Sequence, residues 1–269
     1  MTDAAELLEL AVEAAHEAGR LLLRRFESDP SGVRTKSTAT DLVSDADTES
    51  EKTILRHIRT RRPDDGWLGE EGSAGASRSG VTWVVDPLDG TVNYLFRIPV
   101  WAVSIAAEDE SGTLAGVVHD PNRGETFTAM RGRGASLNGA PIVVRDGADL
   151  TTSLIGTGFA YDAPTRAAQA EVVAKVLPRV RDVRRAGSAA LDLSSAACGR
   201  FDGFYEASLE PWDKAAGVLL VKEAGGVVST LPHPIGGSNG VVAAGPRLHP
   251  LLEDLLRELE IFRRRAPLV

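Results

Sequence analysis

Residues 82–91 read Thr-Trp-Val-Val-Asp-Pro-Leu-Asp-Gly-Thr and join a short apolar run to a turn that carries two acids. The apolar run predicts a buried strand. Asp86 and Asp89 follow it three positions apart among Pro and Gly, where two carboxylates make an oxygen-ligand cage for a hard divalent cation. Gly90 and Thr91 are placed to present backbone N–H groups to a phosphate at a helix start. The stretch therefore predicts phosphoryl chemistry at the end of a strand.

Two further acidic segments support this interpretation, which needs support because Asp-Pro and Asp-Gly alone are common turn formers. Residues 67–72, Trp-Leu-Gly-Glu-Glu-Gly, place Glu70 and Glu71 at the end of another apolar run. Residues 211–213, Pro-Trp-Asp, open a helical pattern that stops at a Gly pair, so Asp213 is expected in the first helical turn. Acids at the ends of three separate elements favour a common metal site.

The composition is that of an ordinary globular protein. The 269 residues are 43% hydrophobic and 25% charged, and no apolar run is long enough for a membrane span. The chain opens with an amphipathic pattern instead of a signal peptide. The single cysteine, Cys198, excludes an internal disulfide and fits a reducing compartment. We therefore expect a cytoplasmic protein without membrane contact.

The charge balance argues against a polyanion as partner. Acidic residues outnumber basic ones by 38 to 30, which gives a net charge of −8, and the arginine pairs are dispersed along the chain. Proteins that bind nucleic acid usually show the opposite balance or a clear basic stripe. Five scattered histidines and one cysteine also disfavour a zinc cage. A small substrate is expected instead of a nucleic acid.

The pattern along the chain changes near residue 145. The first part predicts two amphipathic helices, Leu7–Phe26 and Asp47–Arg62, separated by a mobile polar loop over Ser28–Asp41. Strands dominate from residue 81 to residue 144, with a flexible connector before them at 72–80. Strands and helices then alternate. We expect two fused α/β subdomains, residues 1–146 with most metal ligands and residues 147–269 with Asp213 and the substrate contacts. The elements predicted after residue 145 are strands at 154–156, 203–207, 227–228 and 240–244, and helices at 166–176, 189–197, from Trp212 to Ala224, and 250–262.

Taken together, these motifs resemble the inositol monophosphatase family of magnesium-dependent, lithium-sensitive phosphatases. The resemblance rests on Trp83–Tyr94 and on Trp212–Gly226, in the right order and distance, and it spans essentially the whole chain. Residues 69–71, residues 41–47 and Lys36 agree with it. The fold it implies is a five-layer αβαβα sandwich like that of fructose-1,6-bisphosphatase, with the metals between two subdomains.

The resemblance also implies a ligand set. Glu70, Asp86 and the main-chain carbonyl of Leu88 would hold one Mg²⁺. Asp86, Asp89 and Asp213 would hold a second, and Glu70 with water a looser third in some members. Sharing Asp86 makes physical sense, because a bridging carboxylate can hold two cations for an in-line displacement. Mn²⁺ is an alternative ion, and Li⁺ or Ca²⁺ are expected inhibitors.

The mechanism that the resemblance implies is direct attack of water with no phosphoenzyme. Glu70 and Thr91 would orient and deprotonate the water, with Asp47 supporting Thr91. Lys36 and Glu71 are weaker candidates, because either side chain has an equally good explanation as a solvated residue. The substrate contacts implied by the resemblance are Gly90, Thr91, Gly187, Ser188, Ala189, Glu206 and Asp213.

The expected activity is hydrolysis of a small polyol or sugar phosphate, with myo-inositol monophosphate as the first choice and a homodimer as the assembly. Glu206 favours inositol, since a carboxylate accepts hydrogen bonds from ring hydroxyls. Glu210 departs from the histidine of animal inositol phosphatases and leaves the ring contacts open. A fructose-1,6-bisphosphatase or histidinol-phosphatase is the alternative within the enzyme class. A transcription-associated regulatory protein with secondary phosphatase activity is the alternative of another class.

Overall fold

A computed structural model describes residues 3–27, 34–35, 42–43, 45–232 and 238–259. The helices are α1 Ala4–Glu27, α2 Asp45–Arg61, α3 Thr91–Leu95, α4 Ala163–Val176, α5 Ala189–Ala197, α6 Pro211–Glu223 and α7 Leu248–Glu258. The strands are β1 Arg34–Thr35, β2 Leu42–Val43, β3 Gly66–Gly69, β4 Ala74–Gly75, β5 Thr82–Asp89, β6 Ala102–Asp109, β7 Gly112–Asp120, β8 Glu125–Met130, β9 Ala135–Leu137, β10 Ala140–Pro141, β11 Leu154–Thr157, β12 Asp182–Arg184, β13 Gly203–Glu206, β14 Val227–Leu231 and β15 Gly240–Ala244.

The elements stack in five layers. Helices α1 and α2 cover one face of an eight-stranded sheet with the order β10-β9-β8-β7-β6-β5-β3-β4. Helices α5 and α6 fill the space between this sheet and a five-stranded sheet with the order β12-β11-β13-β15-β14. Helices α4 and α7 pack on the outer face of the second sheet. The predicted αβαβα sandwich is therefore confirmed.

Strand β5 is buried on both faces because its alternate side chains enter different cores. Trp83 and Val85 pack in the core beneath α1 and α2, whereas Val84 points to the core around α5 and α6. Such two-sided burial explains why the sequence here is continuously apolar instead of alternating. The strand therefore delivers the acids that follow it into the interior of the sandwich.

The prediction that this strand ends at Val85 was wrong, because β5 continues to Asp89. Asp86 pairs with Ser104 and Asp89 with Ala102, so three steps along β5 face two steps along β6. The extra residue is a bulge, and it lies next to Pro87, which has no N–H to donate to a sheet. Residues three apart on a regular strand point to opposite faces, so the bulge allows both acids to reach the same cavity.

Other predicted elements agree with the structure to within a few residues at their ends, including both N-terminal helices. The loop predicted over residues 28–41 contains a strand, since residues 34–35 pair with residues 42–43, and the rest of it lies outside the described residues. The connector at 72–80 likewise contains the short strand β4. The boundary near residue 147 separates the strands of the two sheets, while the division into folding units stays a prediction.

Two histidines meet between α1 and the eight-stranded sheet. His16 on α1 and His119 on β7 both contact the Thr126 hydroxyl through a ring nitrogen at 3.0 Å, and their ring centroids are 4.6 Å apart. Burial lowers the pKa of His119 to about 4, with smaller contributions from the charges of His16 and Arg20. Burial also lowers the pKa of His16. The pair is therefore neutral near pH 7.

We expect His119 to destabilise the protein in mild acid. The unfolded chain binds a proton at His119 near pH 6.5 and the folded chain only near pH 4. Between these values the unfolded state holds more protons, so its titration should lower the free energy of unfolding by about 2 kcal/mol between pH 7 and pH 5. His119→Asn keeps a side-chain nitrogen near Thr126 and should lose this part of the decrease. Urea unfolding of the wild-type protein and the variant at pH 7 and pH 5 measures this decrease. An equal decrease in both proteins would show that His119 does not cause it.

Candidate active site

The candidate site lies where β3 and β5 end side by side. The two strands are parallel neighbours, so their carboxyl ends meet at the same edge of the sheet. The Glu70 amide donates a hydrogen bond to the Val85 carbonyl oxygen at 3.2 Å and brings Glu70 next to Asp86. The negative charge of Glu70 is one of the causes that raise the pKa of Asp86, after the larger effect of burial. Two acids from different parts of the sequence therefore lie next to each other in the fold.

The start of α5 holds Asp89. The Ser188 hydroxyl and the Ala190 amide donate hydrogen bonds to Oδ2 of Asp89 at 2.6 and 2.7 Å, and the Ala189 amide donates to Oδ1 at 3.3 Å. Ser188 is the N-cap of α5, so these donors are groups that the helix leaves without an internal partner. The helix N-terminus also favours negative charge. Asp89 therefore links β5 to the middle layer.

Helix α6 supplies the last acid. Asp213 lies in its first turn and accepts a hydrogen bond from the Glu210 amide to Oδ2 at 2.7 Å, one half of a capping box. Pro211 occupies the first helical position, where its missing N–H has no cost. The predicted position of Asp213 in the first turn is confirmed.

These acids face one cavity of about 420 Å³ between the two sheets. Its wall contains eleven of the residues singled out from the sequence: Glu70, Asp86, Leu88, Asp89, Gly90, Thr91, Gly187, Ser188, Ala189, Glu206 and Asp213. The cavity therefore brings together groups from β5, β13, α5 and α6.

The cavity raises the pKa of its acids. Burial is the largest cause for Asp86, and the charges of Glu70, Asp89 and Asp213 add to it, so its pKa lies well above the usual range. Burial also raises the pKa of Asp89 to about 6, against the lowering effect of the Ser188 and Ala190 hydrogen bonds. The pKa of Asp213 is raised by burial and then by Glu70 and Asp89. A nearby positive charge would therefore stabilise the charged form of each acid.

Thr91 and Asp47 form a hydrogen-bonded pair behind the cavity wall. The Thr91 hydroxyl lies 2.9 Å from Oδ1 of Asp47, to which it can donate, and 3.1 Å from the Leu88 carbonyl oxygen. Asp47 is completely buried at the start of α2. The Leu88 side chain is also fully buried in the core beneath α1 and α2, which leaves its carbonyl group for other contacts. An apolar side chain therefore packs in the core although its loop carries two acids.

Of the two weaker candidates, the structure describes only Glu71. Glu71 follows Glu70 in the turn after β3, where its amide donates to Oε2 of Glu51 at 3.0 Å. It does not line the cavity. Lys36 lies outside the described residues.

Sequence reasoning assigned no individual role to several residues that line the cavity: Gly158–Asp162, Arg185, Asp192 and Ser208. Residues 158–162 connect β11 to α4 and carry no motif, so only the fold brings them here. Asp192 follows the N-cap of α5 by four positions, and its helical spacing from Ser188 was the available signal. Trp212, which precedes Asp213, also lines the cavity.

The residues present fit a divalent cation. Carboxylates and a backbone carbonyl are the oxygen ligands that Mg²⁺ accepts, and the mutual repulsion of the acids is the electrostatic condition that a cation relieves. Within the described ranges no group of three or more His, Cys, Asp or Glu side chains lies close enough together to hold a metal ion, so the fit rests on the chemistry of the cavity wall. Protein donors already occupy oxygens of Asp89 and Asp213.

The profile of the inositol monophosphatase family matches residues 3–260, so the chain belongs to this family. Among curated relatives, the inositol-1-monophosphatase of Mycobacterium leprae is 45% identical over 249 residues, which cover 88% of this chain and 84% of that protein. The protein called Nus factor SuhB of Escherichia coli K12 is 41% identical over 267 residues and covers 96% and 99% of the two chains.

Solved structures agree with this assignment. The structure titled Mycobacterium tuberculosis SuhB superposes with a TM-score of 0.85 at 37% identity and covers 98% of this chain and 100% of that one. The inositol monophosphatase from Anabaena gives a TM-score of 0.83 at 35% identity over 96% and 97%. No helix within the described ranges combines the length and apolar character needed to cross a bilayer.

Gly90 is required by the backbone at the centre of the site. Its φ is +99°, and an added Cβ would lie 3.0 Å from the Val100 carbonyl oxygen and 3.2 Å from the Trp101 Cβ. Gly90→Ala should lower the free energy of unfolding by roughly 2–4 kcal/mol, from backbone strain plus this crowding. Gly112→Ala is the matched control, since φ there is +107° with no atom within 4 Å of the new Cβ. It should cost about 1–2 kcal/mol. Equal losses in thermal denaturation would show that the close contacts are unimportant.

Proposed function

We propose that this chain is a Mg²⁺-dependent phosphomonoesterase that hydrolyses a small polyol phosphate, with myo-inositol monophosphate as the preferred substrate. The observation that carries the proposal is the group of mutually repelling acids, Glu70, Asp86, Asp89 and Asp213, on the wall of one cavity. Membership of the inositol monophosphatase family supports the reaction class.

The proposed ligands of two or three Mg²⁺ ions are four side chains and one carbonyl group: Glu70, Asp86, Asp89, Asp213 and the Leu88 carbonyl. When bound, such ions supply charge neutralisation at the phosphoryl oxygens and lower the pKa of water. The protein contributes orientation: the bulge in β5 directs Asp86 and Asp89 to the same side, and the α5 N-terminus fixes Asp89 through three donors. Rigid support of this kind keeps reacting groups in place.

Thr91 and Asp47 are proposed to handle the proton of the attacking water together with Glu70. The 2.9 Å hydrogen bond to Asp47 orients the Thr91 hydroxyl, so that its oxygen can accept a proton from water as its own proton moves toward Asp47. Glu70 lies on the cavity wall and is the second proposed acceptor. The Gly90 and Thr91 amides are proposed to bind phosphoryl oxygens. Water attacks phosphorus directly, and the leaving alkoxide takes up a proton.

The choice of inositol is supported by the M. leprae relative, whose name is inositol-1-monophosphatase, and by a structure titled inositol monophosphate bound SaIMPase-II at 27% identity. Glu206 and Gly187–Ala189 line the same cavity as the acids and are the proposed contacts of the polyol. We further propose that the protein is a cytoplasmic homodimer. The exposed apolar side chains of Phe96 and Ile98, 70% and 46% accessible, support a protein contact beside the site.

A second candidate function is a regulatory role in transcription. The relative named Nus factor SuhB favours it, because the match covers nearly the full length of both proteins. The complete set of proposed ligands in the cavity favours catalysis over a vestigial site.

The proposed activity predicts Mg²⁺-dependent phosphate release led by inositol-1-phosphate. The panel should also contain fructose-1,6-bisphosphate, histidinol phosphate, NADP and 3′-phosphoadenosine 5′-phosphate, with chelator as control. Faster Mg²⁺-dependent release from another compound would support the proposed mechanism but change the proposed substrate. Absence of release from every compound would contradict the enzyme proposal and favour the regulatory candidate.

Asp86→Asn is predicted to separate activity from stability. Loss of a shared metal ligand should lower Mg²⁺-dependent kcat/KM by roughly 100-fold or more. The same change removes the acid that Glu70, Asp89 and Asp213 repel, so the melting temperature of the chelator-treated protein should rise. Asn retains the acceptor for the Leu88 amide at 3.0 Å.

Asp202→Asn is the control for this experiment. Asp202 is also buried, but it lies away from the cavity and accepts a hydrogen bond from the Leu154 amide at 2.8 Å. Its substitution should lower stability and leave Mg²⁺-dependent activity in place. A destabilised but active Asp86→Asn protein would contradict both the repulsion and the metal role.

A further inference from the structure

The acids of the active-site cavity fall into two groups with different hydrogen bonding. At the proposed metal end, protein donors hold each aspartate: Asp86 accepts from the Leu88 amide, Asp89 from Ser188, Ala189 and Ala190, and Asp213 from Glu210. These contacts orient the carboxylates. Oriented acids are what a metal site needs.

At the other end, two acids lack protein donors. Asp192, in the first turn of α5, is only 2% accessible, and Glu206 ends β13. No described residue donates a hydrogen bond to the carboxyl group of either. Ser208, two residues after Glu206, has a buried hydroxyl that also lacks a partner among the described residues. All three lie on the cavity wall.

Buried polar groups without partners are costly, and they are retained mainly where something else satisfies them. A carboxyl group left without donors is satisfied by a ligand that donates hydrogen bonds. Two such groups and a hydroxyl on one wall call for a ligand with several donors close together. Hydroxyl groups on neighbouring carbons of a polyol have that arrangement.

The surroundings favour neutral hydroxyl donors over an ammonium group. Arg185 lies on the same wall, and its charge lowers the pKa of both Asp192 and Glu206 against the larger opposing effect of burial. A second cation in the same place would be repelled by the guanidinium. A neutral polyol avoids this cost.

Asp192 also borders a neighbouring cavity of about 470 Å³, which contains Arg123 and Arg200. These guanidinium groups are paired with other acids, Arg123 with Asp120 at 3.1 Å and Arg200 with Glu125 at 2.5 Å. Neither forms an ion pair with Asp192. The second cavity therefore supplies no structural partner that would explain a buried acid at this position.

We propose that Asp192 is a specificity-determining residue that acts with Glu206 to bind adjacent hydroxyl groups of the leaving polyol. The proposal rests on the proposed phosphatase function and adds a second acid to its substrate contacts. It makes the enzyme select for phosphates whose alcohol carries neighbouring hydroxyls. Phosphate esters without such hydroxyls leave both acids unpartnered.

The test compares inositol-1-phosphate with phenyl phosphate, which has no free hydroxyl group. Asp192→Asn should raise KM for inositol-1-phosphate by about tenfold with a small change in kcat, since the loss of one hydrogen bond to the substrate has about this size. The ratio of kcat/KM for inositol-1-phosphate to that for phenyl phosphate should fall by about tenfold. A merely structural role would lower activity on both substrates together and leave this ratio unchanged.

Asp120→Asn is the matched control, because Asp120 is completely buried but accepts hydrogen bonds from the amides of Asn122 and Arg123. It should leave the substrate ratio unchanged. Glu206→Gln should lower the ratio as Asp192→Asn does, and the double variant should lose less than the product of the single losses because both acids hold one ligand.

Calorimetric binding of inositol-1-phosphate in the presence of Ca²⁺ separates the two proposals, because it needs no turnover. Tenfold weaker binding by Asp192→Asn supports the assignment even if the wild-type protein releases no phosphate. Equal binding by both proteins, or an unchanged substrate ratio, would overturn it while the phosphatase proposal stands on its own panel.

Discussion

Electrostatic repulsion between buried carboxylates is the constraint around which this structure is organised. Burial in an interior strand raises the pKa of Asp86 most, and the nearby charges of Glu70, Asp89 and Asp213 raise it further. In a medium of low dielectric constant such crowding is strongly unfavourable. Much of the local structure offsets it, since the helix N-termini of α5 and α6 direct N–H groups at Asp89 and Asp213.

The middle helical layer makes this compensation possible. Helix α6 packs close to the eight-stranded sheet at Gly116, which has no side chain. A methyl group there would lie only 3.0 Å from the Ala216 Cα, so a larger residue would not fit between the helix and the sheet. At its other end, the Glu223 carboxylate accepts hydrogen bonds from the amides of Gly132–Gly134 at 2.7–3.1 Å. A helix fixed at both ends holds Asp213 at a defined depth in the cavity.

The cavity joins a wall that the backbone constrains to a wall on which side chains decide the contacts. The acids of β5 are held by the backbone and by α5, and their positions depend on a bulge and a left-handed glycine that leave little room for change. The opposite wall is built by Glu206, Ser208, Asp192 and the loop at 158–162, where side chains alone decide the contacts. Curated relatives with two different names, an inositol-1-monophosphatase and a Nus factor, have similar identity to this chain. Overall sequence similarity therefore does not distinguish between the two functions that these names suggest.

The sequence by itself determined most of the elements, the family and the acids of the proposed metal end. Local periodicity indicates helices such as α1 and α5. Acids beside Gly and Pro at the ends of apolar runs indicate a functional site, and this signal does not depend on contacts between distant segments. Only the tertiary structure decided the rest. The bulge in β5 depends on pairing with β6, and the contact of His16 with His119 joins segments far apart in the chain. Whether Asp192 has a partner depends on which groups the fold places around it, because a hydrogen bond needs two atoms in space and the sequence specifies only one of them.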